Sequence, residues 1–172
     1  MIYVDSFDTP LGRMQVGATE DAIFMLEFED NNLHELSRPD IAKHFQDDIV
    51  QQENAPIQLV KKQINEYFNS SRKQFDVPLH FWGTIFQVKV WQSLMDIPFG
   101  STVSYSHQSK VLGDVKAIRA VASANGKNKI AIIVPCHRVI GSDGALTGYA
   151  GGFGRKKWLL DFENPHKQLS IF

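Results

Sequence analysis

The stretch Ile132-Ile133-Val134-Pro135-Cys136-His137-Arg138-Val139-Ile140 places the one cysteine of the sequence between two apolar arms. Four β-rich residues, Ile130 and Ile132 to Val134, lead into it. Pro135 has a fixed φ and no backbone N–H, so it blocks both a helix and a continuing sheet ladder. The chain is therefore expected to bend beside the thiol and lift it from a strand into a cleft. His137 and Arg138 follow at once, and a nearby cation lowers a thiol pKa and favours the nucleophilic thiolate. The competing reading is an inert core residue, because unpaired cysteine is among the most buried types.

Upstream, Thr84 with Gln87 forms a capping box that opens a helix to about Met95, with Phe86, Val90, Trp91 and Leu94 on its buried side. Ile97-Pro98-Phe99-Gly100 stops it. Ser104 can cap a helix over 105–112 that Gly113 ends, and Asp114 can cap another over 115–125. Two short helices joined through Gly113-Asp114 make a helix-turn-helix pattern. On the second of them Ile118, Val121 and Ala122 are expected in the core. Lys116, Arg119, Ala120, Ser123 and Lys127 share another face, where small side chains between basic ones let a backbone approach a phosphate-lined groove. Downstream, residues 141–153 form a glycine-rich loop without a phosphate-binding pattern, followed by a helix carrying Arg155, Lys156, Lys157 and Glu163. Those glycines suit close approach of backbone amides to a flat ligand.

The first half reads as scaffold. Residues 3–7, 13–18 and 23–29 are expected strands of an antiparallel meander. Residues 56–68 carry helical spacing in Leu59, Val60, Gln63, Ile64, Tyr67 and Phe68. Residues 30–54 read as one short helix with loops, and 75–83 as a connector. His34, His44 and His80 lack metal-ligand company and are taken as surface or structural residues.

With 172 residues, 43% of them hydrophobic and 22% charged, the composition is that of an ordinary globular protein. No run reaches the roughly 18 apolar residues of a membrane span, and the N-terminus lacks a tripartite signal. A lone cysteine fits a reducing compartment and excludes internal disulfides and Cys-based zinc sites, so a cytoplasmic location is expected. Residues 1–82 hold seven Lys/Arg against fourteen Asp/Glu, whereas 83–172 hold eleven against five. That split points to a basic half that meets a polyanion.

Together IPFGSTVSYS (97–106), IRAVASANGKNKIAIIVPCHRVIGSDGALTGYAGG (118–152) and RKKWLLDFE (155–163) resemble the methylated-DNA–protein-cysteine methyltransferases, over about residues 84–163. The resemblance implies a mixed α+β protein. An N-terminal ribonuclease-H-like domain, an antiparallel sheet with helices, occupies 1–80, and a C-terminal winged-helix-like helix-turn-helix domain occupies 81–172. It implies direct-reversal DNA repair. A base such as O6-alkylguanine, with O4-alkylthymine as a further candidate, is flipped from the minor-groove side of double-stranded DNA, and its alkyl group passes irreversibly to Cys136. By position, His137 belongs to the network that activates Cys136, and Glu163 orients it. Tyr105 donates to the leaving base, and Lys156 holds the reactive segment. Arg119 matches an intercalating arginine. Ala120, Ser123, Tyr105 and Arg138 join it on DNA, while Tyr149, Ala150 and Val139 line the base pocket. Asn128 is the hinge, although Lys129 stands where many relatives have proline. No cofactor, metal or membrane is expected, and the protein is expected to act as a monomer.

Adjacent side chains on an extended segment diverge, so Cys136 and His137 are expected to communicate through a water. Two rivals remain at this point. One is a DNA-binding regulator with a merely buried cysteine. The other is a cysteine hydrolase, which needs turnover and a direct Cys–His hydrogen bond.

Overall fold

The computed structural model describes residues 1–30 and 38–165. The chain divides into two compact units, Met1–Phe81 and Trp82–Phe172. In the first, β1 (Ile2–Thr9), β2 (Gly12–Ala18) and β3 (Ile23–Phe28) form the expected antiparallel meander. Gly17 lies so close to Phe24 that a Cβ there would stand 2.7 Å from the ring. After α1 (Pro39–Phe45), β4 (Ile49–Gln51) adds to the far edge in parallel, giving the order β3-β2-β1-β4. Three residues are too short to show alternation, so the polar reading of 30–54 found the helix and missed this strand. Asn54 caps α2 (Ala55–Phe68), which packs on β1 and β2 with Ile57, Val60, Ile64 and Tyr67 buried. Each such side chain contributes roughly 1.5–3 kcal/mol. The 75–83 connector adds an isolated parallel bridge, Leu79 to Ile23. His44 and His80 both meet Phe45 in ring contacts; His34 lies outside the described residues.

The second unit begins with the predicted capping box. Thr84 Oγ1 accepts from the Gln87 N–H at 3.1 Å, and Gln87 Oε1 accepts from the Thr84 N–H at 3.0 Å. These open α3 (Ile85–Leu94), whose Val90, Trp91 and Leu94 are buried. Phe86 shares their spacing but stays 40% exposed. Helical periodicity assigns a face and not how far along it the neighbours reach. β5 (Val103–Ser104) leads into α4 (Tyr105–Val111), with Ser104 as its cap. Gly113, at φ 87°, then closes the helix. The Gly113 N–H donates to the Lys110 carbonyl and the Asp114 N–H to the Ser109 carbonyl, both at 3.0 Å, the pairing of a Schellman motif.

α5 (Ile118–Gly126) starts three residues later than the Asp114 signal suggests. Asp114 spends its side chain on a turn instead, accepting from the Lys116 N–H at 2.9 Å. The later start leaves Ile118 at the first position and 40% exposed, not in the core. Val121, Ala124 and Asn125 face inward, and Ala122 is half-buried. The buried Asn125 and Gln108 amides donate to one another at 2.6 and 3.2 Å, and the Trp91 indole N–H donates to the Ala124 carbonyl at 2.8 Å. These bonds join α3, α4 and α5. β6 (Val139–Ile140) pairs in parallel with β5, and α6 (Phe153–Glu163) follows.

Candidate active site

The expected β lead-in to Cys136 is a turn. Residues 131–133 reverse the chain, with Ile132 fully buried at φ 71°. A β-branched residue adopts that conformation only when its surroundings impose it. After Pro135 the chain closes one 3-10 turn, Cys136–Arg138. Asn128 braces both sides of the reversal. Its Oδ1 accepts from the Ile130 N–H at 3.0 Å, and its Nδ2 donates to the Val134 carbonyl at 2.9 Å and the Ile130 carbonyl at 3.2 Å. The same Nδ2 also lies 3.2 Å from the Cys136 sulfur. The hinge and the thiol are therefore one hydrogen-bonded unit.

Cys136 is buried, with 3% of its surface exposed, and burial pushes its pKa up to about 11. The Asn128 N–H and the Lys156 charge pull it back only in part. This reverses the expectation of a thiolate favoured by His137 and Arg138. The cause lies in where those side chains point. The His137 ring is wholly buried, with Nε2 2.8 Å from Glu163 Oε2. Burial holds it below the usual histidine pKa against the pull of Glu163, so the ring is neutral at pH 7. Arg138 is expended on the same carboxylate, through Nε at 2.8 Å and Nη2 at 3.0 Å, and on the Ile97 carbonyl through Nη1 at 2.6 Å. Buried this way, Arg138 is a structural ion-pair partner and offers little surface for the DNA contact expected of it. Together His137 and Arg138 keep the Glu163 carboxyl far below the ordinary range despite its burial.

A neutral ring that donates Nε2–H to a carboxylate must carry its lone pair on Nδ1. That atom is buried and has no hydrogen-bond partner within the protein. Lys156, also fully buried, donates from Nζ to the Val139 carbonyl at 2.6 Å and the Thr147 carbonyl at 2.7 Å. It thereby ties the segment after Cys136 to the glycine loop, and desolvation lowers its pKa to about 8. The Tyr105 hydroxyl, 3.4 Å from Lys156 Nζ, donates to the same Thr147 carbonyl at 2.7 Å. Tyr105 is almost wholly buried, which suits a donor inside the site and leaves little surface for DNA.

A cavity of about 330 Å³ opens beside these groups, walled by residues 146–150 with Gly126, Phe153 and Lys156. Tyr149 and Ala150 line it as expected. Val139 does not; it is fully buried and offers only its carbonyl to Lys156. The Tyr149 ring meets His137 edge-on at 6.4 Å between centroids, which joins the pocket to the His137–Glu163 pair. The Tyr149 hydroxyl is buried without a protein partner. Two participants escaped the sequence reading. Thr147 acts through its carbonyl, which leaves no trace in residue type. Gly148, at φ 69°, would bring a Cβ to 3.1 Å from the Tyr105 hydroxyl, and its place in the glycine run was the available signal. Arg119, Ala120 and Ser123 are exposed on α5, as the spacing predicted, and Lys116 and Lys127 are exposed just beyond its two ends. Among the described residues no His/Cys/Asp/Glu cluster is placed to hold a metal.

Two family models match the chain. The ribonuclease-like domain of 6-O-methylguanine DNA methyltransferase covers residues 2–81, and the DNA binding domain of the same enzyme covers 85–165. A Bacillus subtilis protein, methylated-DNA–protein-cysteine methyltransferase, constitutive, is 41% identical over 166 residues, 95% of this chain and 96% of the relative. The chain belongs to the methylated-DNA–protein-cysteine methyltransferases. A Mycobacterium bovis methylated-DNA–protein-cysteine methyltransferase is 50% identical over 109 residues, 63% of this chain and 66% of that protein's length. A crystal structure of Mycobacterium tuberculosis OGT in complex with DNA superposes with a TM-score of 0.82 at 38% identity, covering 95% of this chain and 93% of that one. As a methylated-DNA–protein-cysteine methyltransferase, the protein is an enzyme of DNA repair that binds DNA and transfers an alkyl group from it.

Proposed function

We propose that Cys136, the one cysteine of the sequence, accepts the alkyl group of O6-alkylguanine after that base is flipped from the minor-groove side of duplex DNA. The cavity beside Tyr149 and Ala150 receives the base, whose alkyl carbon then faces the sulfur. The thiol is protonated at rest, so its proton must leave as the bond forms. It passes through a bridging water to Nδ1 of His137, and Glu163 stabilises the imidazolium through Nε2–H. The sulfur pair forms the S–C bond, the C–O6 bond breaks, and its electrons remain on the guanine. Tyr105 gives its hydroxyl proton to that anion and recovers one from Lys156, whose lowered pKa of about 8 makes it a ready donor. The thioether cannot be cleaved by the same groups, so each molecule reacts once. O4-alkylthymine presents the same leaving-group chemistry. The protein acts as a monomer, and a free thiol acceptor fits the reducing cytoplasm.

The buried His137, bound to Glu163 at Nε2 and unpartnered at Nδ1, carries this reading. A hydrolase would need that nitrogen on the sulfur itself, and a passive DNA-binding protein would need no base at all. Arg119, exposed on α5, fills the space the base vacates. Unstacking costs a few kcal/mol, so Arg119→Ala should slow transfer from duplex DNA by roughly ten- to a thousandfold. Reaction with the free alkylguanine base should change little. Rates at saturating DNA separate this from a lost phosphate contact. Equal slowing on duplex and free base would remove Arg119 from base flipping.

A further inference from the structure

Lys129 follows the hinge residue Asn128. Its ammonium lies 3.4 Å from the centroid of the Trp82 ring and 5.7 Å from that of Trp91. It also donates to the Trp82 carbonyl at 2.8 Å. Trp82 is a firm anchor. It is nearly buried, and Gly83 after it sits so tightly on Trp91 that a Cβ would stand 2.8 Å from the indole. Thr84, the next residue, is locked by the capping box of α3. On the other side, Lys129 is covalently joined to Asn128, whose amide touches the Cys136 sulfur. A cation held on an indole face and on a carbonyl at once is strongly placed, and such contacts strengthen where water is excluded.

We infer that Lys129 is a positioning residue for alkyl transfer: its contact with Trp82 fastens the Asn128 hinge to the start of α3 and so holds the Asn128 amide on the Cys136 sulfur. The inference rests on Cys136 as the alkyl acceptor.

The test uses the full-length protein and three probes: a duplex oligonucleotide containing O6-methylguanine, the free O6-methylguanine base, and iodoacetamide as a thiol reagent across pH. Lys129→Met keeps the aliphatic stem and removes the charge. It should slow transfer from duplex and free base alike, by about tenfold, the change that ~1.4 kcal/mol produces. It should also move the iodoacetamide profile of Cys136 to higher pH, because the thiolate loses a well-placed donor. Lys129→Arg, whose guanidinium also stacks on indole, should keep most of the rate. Trp82→Leu should match Lys129→Met, and the double variant should be no slower than either single one. If Lys129→Met does not fold, Lys129→Arg and Trp82→Phe supply the comparison, with the phenyl ring giving a partial loss in rate and a smaller shift of the profile. Unchanged rates and thiol profile overturn the proposal. Loss on duplex alone would make Lys129 a DNA contact, and a lower melting temperature with an unchanged thiol profile would make it purely structural. A wild-type protein that fails to methylate Cys136 would refute the acceptor assignment instead.

Discussion

At Cys136 burial works against ionisation, and the Asn128 N–H, the Lys156 charge and a backbone hydrogen bond oppose it. A hydrogen bond to a charged group is worth ~1.5–3 kcal/mol, so Asn128→Ala should slow transfer by roughly ten- to a hundredfold. The midpoint of the iodoacetamide profile should rise above that of the wild type. Single-turnover rates and that pH profile check this, and an unchanged profile would free the sulfur from the amide. Glu163 gives a second residue-level expectation. Glu163→Gln leaves Arg138 buried without its counter-charge, a loss of about 3–5 kcal/mol readable by urea unfolding at neutral pH. Its folded pKa is depressed, so the stability it confers is present above the ordinary glutamate value near 4.3 and fades as pH falls below it. His137, also depressed, adds to the loss below about 6.5. The wild type should therefore weaken on acidification, and Glu163→Gln should show less of the decline below pH ~4.3. Adjacency in sequence made Cys136 legible as the centre but misplaced its electrostatics. The His137 ring and the Arg138 guanidinium beside it are turned toward Glu163, 25 or more residues away along the chain.

Among the elements, local chemistry was the readable part. Thr84 with Gln87, Ser104 and Gly113 each mark a helix boundary by what their own atoms can do, and each boundary is found within a residue. The exposed face of α5 followed from spacing alone. What failed depended on neighbours distant in sequence. Asp114 had a turn to satisfy before any helix, β4 exists only because β1 offers an edge, and the strand-like Ile132 to Val134 is folded back by Asn128. The turn between α4 and α5 supplies a test. Gly113 sits at φ 87° with open space around it, so Gly113→Ala suffers backbone strain without a clash. It should destabilise the protein by about 1–2 kcal/mol, measured by urea unfolding. No loss would mean that the turn between α4 and α5 is free to rearrange.

Across the whole molecule, chemistry and positive charge both concentrate after residue 82. The resemblance rested on residues 84–163, and the acidic first half offered only its expected strands and helix. Its ribonuclease-like character was expected from the resemblance of the second half and is matched by the family model over residues 2–81. Its own residues did not carry it, because a scaffold records packing and packing admits many sequences. The central claim is that one thiol is both nucleophile and final resting place of the alkyl group. The most direct measurement is to incubate the protein with excess duplex containing O6-methylguanine and locate the transferred methyl by mass spectrometry of the peptides. The account predicts one methyl per protein molecule, on Cys136, with no further reaction once that site is filled and none in Cys136→Ser. Methyl on another residue, or continued turnover beyond one equivalent, would contradict it.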